Sequence, residues 1–164
     1  MNRLLLTSVS LLHFLPRPFG ATPIGAIALY SGAYGNARIA WLTPLVPLFI
    51  GDLIGGFYNV TVMVFVYLGF ALSAVVGRLL LSRERSARRI AVAIMAAAVI
   101  FYLVSNFSIW LVGMYPATLA GLIACYVNGL PYLGIALVAD SAYCLLLFGA
   151  HALIERERPA AATT

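Results

Sequence analysis

The stretch Ile90–Ala139, IAVAIMAAAVIFYLVSNFSIWLVGMYPATLAGLIACYVNGLPYLGIALVA, contains no charged residue. No soluble core needs fifty consecutive uncharged residues, because the chain of a soluble domain returns to water every ten or so. About 20 apolar residues cross a bilayer as a helix, so this stretch reads as membrane-embedded. The whole chain agrees: 63% of its 164 residues are hydrophobic and 9% charged, with a mean hydropathy of +1.02. A soluble domain carries about a quarter charged residues. The apolar runs are continuous and do not alternate along a strand, which argues against a β-barrel. The expected fold is all-α, a polytopic membrane helix bundle forming one transmembrane domain over residues 1–155, with a disordered tail over 156–164.

Outward from that stretch, further apolar segments fall at roughly 3–15, 22–36, 39–57, 60–81 and 89–111, then 117–130 and 133–154. Thr22-Pro23 is a good helix start, since proline suits the first turn. Asn59 and Arg78 enclose the cleanest span, and Gly113-Met114-Tyr115-Pro116 breaks the next one. Arg3 before an apolar run resembles a secretory signal. The run ends in Pro16-Arg17-Pro18 without a cleavage site, so it is read as a short first span. Neither end carries a lipidation motif.

The net charge of +5 comes entirely from arginine. These arginines flank apolar segments, so they act as topology determinants at the lipid headgroups and do not indicate nucleic acid. Arg83, Arg85, Arg88 and Arg89 form the densest basic loop, which the positive-inside rule puts in the cytoplasm. Counting back places Arg3 and Arg38 inside and Arg17 outside. If 117–130 is a re-entrant element, the chain has six spans and both termini inside. If it crosses, there are seven, and Arg156 and Arg158 end outside.

Two of the five carboxylates, Asp52 and Asp140, fall within apolar segments. An acid there costs about 2.5–3.5 kcal/mol on insertion scales, so it faces a bundle interior or a wet cavity. They are either ligand anchors or structural locks, capping helices or pairing with Arg17 or Arg38. With six spans, Asp52 lies ~20 Å from the cytoplasmic end of its helix and Asp140 ~10–14 Å from the outer start of its own. Both then occupy the outer half of the bilayer, whereas seven spans separate them.

Asn106, Asn128 and Trp110, with Tyr115, Tyr126 and Tyr132, crowd residues 102–132. They are either an interfacial belt or the wall of a pocket for a flat small molecule. Gly25, Ala28 and Gly32 belong to a small-residue stripe, repeated at Gly51/Gly55 and at Gly69, Ser73 and Gly77. Such stripes serve internal helix packing or the docking of a partner subunit. His13 and His151 read as interfacial anchors, and Cys125 and Cys144 as buried small hydrophobes. With no HExxH, GxSxG or P-loop pattern, no catalytic residue, metal site or cofactor is expected.

The string Ala21-Thr22-Pro23-Ile24-Gly25-Ala26-Ile27-Ala28-Leu29, with Ser31-Gly32-Ala33-Tyr34, resembles a family of uncharacterised small bacterial multi-span proteins. The resemblance continues through Phe49-Ile50-Gly51-Asp52-Leu53, Ser105-Asn106-Phe107, Met114-Tyr115-Pro116 and Asp140-Ser141-Ala142-Tyr143, nearly the whole chain. That family is known only as a domain of unknown function. More distantly, the layout is similar to the S components of energy-coupling-factor vitamin transporters. This implies a six-helix bacterial inner-membrane protein, with an outward pocket and a small-residue face for a membrane subunit that works with an ATPase. Asp52, Asp140, Asn106, Tyr115, Asn128 and Tyr132 would then hold a vitamin, a precursor or a metal-containing solute. Gly25, Ala28 and Gly32 would form the docking face. The other reading is a structural or assembly subunit of a larger membrane complex.

Overall fold

The computed structural model describes residues 3–11 and 21–157. Among them the chain is six helices without a strand: α1 (Arg3–Leu11), α2 (Ile24–Tyr34), α3 (Leu45–Gly55), α4 (Val60–Leu81), α5 (Ala87–Leu111) and α6 (Leu119–Glu157). Three of them, α4, α5 and α6, are long and apolar enough to cross a membrane. At 9, 11 and 11 residues, α1, α2 and α3 fall well below the about 20 residues of a full crossing. The six helices are therefore not six equal spans. Residues 12–15 of the first segment, His13, Arg17 and tail residues 158–164 lie outside the described residues, and α6 takes in the first two positions assigned to the tail.

The boundaries follow local chemistry. The Asn59 side chain accepts hydrogen bonds from the Thr61 and Val62 amides, at 3.0 and 3.3 Å, satisfying first-turn donors of α4. Gly113, at φ +82°, takes the left-handed conformation that ends α5. The expected segment 39–57 divides into turns over 37–44 and then α3, because Pro44 and Pro47 suit a helix start and not its middle.

The main correction concerns 117–130 and 133–154. They form one helix of 39 residues that continues through Pro131. A proline removes a single rung of the ladder, and the turns on both sides of it remain helical. The seven-span alternative needed a break there, and the re-entrant element is simply the first third of α6. At about 58 Å by helical rise, α6 exceeds the ~30 Å hydrocarbon core, where α5 needs about 37 Å.

The bundle is built around α2, whose residues from Ile24 to Ala33 are all buried. Helices α4, α5 and α6 surround it. A side chain on Gly32 would strike the Ala74 carbonyl and the Gly77–Arg78 backbone, and one on Gly77 would strike the Leu29 carbonyl. The two glycines interlock, bringing the α2 and α4 backbones into contact. Where lipid removes the hydrophobic drive between helices, such close packing supplies the attraction. The outward faces of the long helices are apolar: Leu79 is 74% and Leu145 77% exposed, which suits acyl chains and not water.

Candidate functional site

A cavity of about 540 Å³ opens between α4, α5, the 112–118 loop and the first half of α6. Its walls are apolar, with the Phe70 and Phe101 rings tilted by 33° at 4.3 Å between centroids. Phe101 lies over α4 because Gly69 leaves room for its ring. Near the 112–118 loop the lining becomes polar. Asn106, Tyr115, Asn128 and Tyr132, four of the six residues expected to hold a ligand, line this one space.

Hydrogen bonds set that polar end. Asn106 donates from Nδ2 to the Tyr102 carbonyl at 2.8 Å, and a side chain on Gly129 would collide with its amide. The side-chain oxygen Oδ1 of Asn106 packs against Gly129 and takes no hydrogen bond from the described residues. Asn128 Nδ2 donates to the Tyr115 hydroxyl at 3.2 Å, tying α6 to the loop. Tyr102 and Tyr126 exchange bonds between α5 and α6: the Tyr102 hydroxyl donates to the Tyr126 carbonyl at 2.5 Å, and the Tyr126 hydroxyl to the Leu103 carbonyl at 2.8 Å. Trp110 Nε1 donates to the Pro116 carbonyl at 3.0 Å, bracing the loop. Cys125, buried as expected, donates from Sγ to the Asn106 carbonyl at 3.3 Å.

Asp140 lies behind this cavity. A void of about 30 Å³, large enough for one water, shares Thr22, Phe70, Ala98, Phe101 and Ala136 with the main cavity and reaches the Asp140 carboxylate. That carboxylate is 7% exposed and packs where Gly25 lacks a side chain. It sits against the backbone of the first turn of α2, at Gly25 and Ala26. Ile24, Gly25 and Ala26 form the first turn of α2, where the Thr22 hydroxyl accepts the Ile24 amide at 3.3 Å and Pro23 offers no side-chain acceptor. Asp140 thus meets the positive end of α2 with negative charge from another helix.

Asp52 is elsewhere. It is half-buried on α3 and accepts a hydrogen bond from the Tyr67 hydroxyl at 2.8 Å. In the loop before α4, burial and the nearby Asp52 carboxylate push the Tyr58 hydroxyl up to about 12. The residues that meet Asp52 and those that meet Asp140 do not overlap, so the two do not form one site.

The docking stripe is also reassigned. Gly25, Ala28 and Gly32 are buried inside the chain, against Asp140 and α4, so no partner reaches them. His151 is no interfacial anchor. It is 7% exposed, with Nδ1 2.6 Å from the Tyr30 hydroxyl and Nε2 3.0 Å from Glu155 Oε1. Sequence reading missed Phe70, Phe101 and Tyr102 as cavity walls, since an aromatic residue in a span carries no mark of the face it takes. Among the described residues no group of three or more His, Cys, Asp or Glu could hold a metal ion.

A family model described as a family of unknown function, DUF6580, matches residues 2–161. The chain belongs to that family. No curated protein and no solved structure matches it.

Proposed function

We propose that this DUF6580 protein is a multi-pass inner-membrane protein that binds a small molecule in the cavity between α4, α5 and α6. It serves as the ligand-binding part of an uptake system of the S-component kind. One observation carries the reading: Asn106, Tyr115, Asn128 and Tyr132, from two helices and their connecting loop, line a single cavity of about 540 Å³. Small-molecule sites occupy about 300–1,000 Å³, mostly apolar with a few polar groups that orient the ligand. The aromatic faces of Phe70 and Phe101 suit a flat ring system, and the amides of Asn106 and Asn128 suit its hydrogen-bonding edge.

The basic loop over 83–89 belongs to the cytoplasm by the positive-inside rule. Helix α5 then carries the 112–118 loop to the outer face, and the polar end of the cavity with it. Solute entering from outside meets the asparagines and tyrosines first, as uptake requires. Asp140 supports the site from behind through α2, and Asp52 leaves the ligand set. Energy would come from a separate ATPase and its membrane partner. That partner has to dock away from the internal glycine stripe, and α3 offers an apolar face with Val46, Leu53 and Ile54 exposed.

The test is solvent extraction and mass spectrometry of the full chain purified in mild detergent. A stoichiometric small molecule is expected in the wild type, reduced about tenfold in Asn106→Leu and Asn128→Leu, each of which removes a polar contact. Both variants keeping full occupancy, or a wild type without any ligand, would sink the assignment. Co-purification with an ATPase favours uptake; a stable complex without one favours an assembly subunit.

A further inference from the structure

A second cavity, of about 820 Å³, runs between α5 and the last half of α6 and shares no lining residue with the first. Its floor includes Ile94, Cys144 and Phe148, and its sides stay low because Ala91, Gly149 and Ala152 carry little bulk. From Leu137 to Glu155 the α6 wall runs about 27 Å by helical rise. One leaflet has about 15 Å of hydrocarbon, so the groove admits a whole acyl chain and reaches the headgroup layer.

The mouth of the groove carries two opposite charges, Arg85 and Glu155. Arg85 is held by donation from Nη2 to the Ala33 and Ser82 carbonyls, at 3.2 and 2.9 Å, and by stacking 4.3 Å from the Tyr34 ring centroid. Among the described residues no carboxylate lies within 4 Å of it. Its Nε and Nη1 hydrogens remain available to an anion. Glu155 is fixed through one oxygen by His151, which Tyr30 holds in turn; its other oxygen faces no donor among the described residues. Each charge is thus set in place by its neighbours without being neutralised by the other.

We propose that this groove binds a phospholipid with a primary-ammonium headgroup. One acyl chain lies along α5 and α6, the phosphate meets Arg85, and the ammonium meets Glu155. A mouth of arginines alone would select an anionic lipid. Glu155 beside Arg85 reverses that choice, because it repels a second negative charge and attracts an ammonium. The arginine-rich loop places the site in the cytoplasmic leaflet.

Native mass spectrometry of the full chain, released from nanodiscs of equal phosphatidylethanolamine and phosphatidylglycerol, tests this. One retained phosphatidylethanolamine is expected, preferred about threefold, the scale of an exposed ion pair. Glu155→Gln should keep the lipid and lose the preference. Gly149→Leu fills the groove; its new Cβ would meet nothing within 4 Å. That variant should lose the adduct while keeping its unfolding temperature. A wild type preferring phosphatidylglycerol, an adduct surviving Gly149→Leu, or a lipid-free dimer would each overturn the proposal.

Discussion

Helices α2 and α3 are both eleven residues long and both apolar, yet α2 is buried almost throughout and α3 is largely exposed. Hydrophobicity does not separate them. What differs is bulk and anchoring. Gly25, Ala26, Ala28, Gly32 and Ala33 keep α2 thin enough for α4 and α6 to touch its backbone, and the Asp140 carboxylate faces its first turn. Helix α3 instead carries Val46, Phe49, Leu53 and Ile54, which stand away from the bundle. In an apolar solvent burial follows close approach and polar satisfaction, because lipid already accepts the apolar side chains.

The strongest challenge to this contrast is a matched pair of glycine substitutions. Gly32→Leu pushes a side chain into the α4 backbone and should destabilise by about 3 kcal/mol or more, with loss of the folded protein in detergent. Gly55→Leu on α3 meets nothing within 4 Å and should change stability by about 0.5 kcal/mol or less. Thermal or denaturant unfolding reads both. Similar losses would mean that α3 is packed as tightly as α2.

The aspartates extend the comparison at smaller scale. Asp140→Ala strips the buried carboxylate from the first turn of α2 and should cost about 1–2 kcal/mol, most of it restored by Asp140→Asn, which keeps an acceptor oxygen there. Asp52→Ala removes one half-buried hydrogen bond and should cost about 0.5–1.5 kcal/mol. If Asp52→Ala proves the more damaging, the anchoring role given to Asp140 is wrong.

The finest effect is on Tyr58. Asp52→Asn removes a negative charge that opposes the phenolate, so the Tyr58 titration should move down from about 12. It should stay above the ordinary tyrosine value, because burial, the larger cause, is unchanged. Difference absorbance titration against Tyr58→Phe isolates this group. An unmoved titration would separate Tyr58 from the Asp52 carboxylate.

Much of the layout was legible because composition and punctuation speak locally. Val60–Leu81 matches its expected bounds, as Asn59 and the following arginine loop mark both ends. The polar residues of 102–132 were legible as a group, and the structure brings four of them to one cavity. Pro131 misled, because a proline signals a break with equal force whether or not neighbours hold the helix together. The glycine stripe was legible as a packing face, internal or for a partner: its spacing announces that something packs there, and cannot say which.

Alone, the amino-acid sequence determined a helical chain rich in apolar segments, the basic loop between α4 and α5, and two carboxylates that had to find partners. These follow from residue-level transfer energies and helix periodicity, which act over a few turns. Only the tertiary structure decided that Asp140 meets the first turn of α2, that Asp52 pairs with Tyr67, and that Gly32 meets Gly77 inside the chain. Those outcomes depend on which helices touch and at what register, a long-range property that no local pattern encodes.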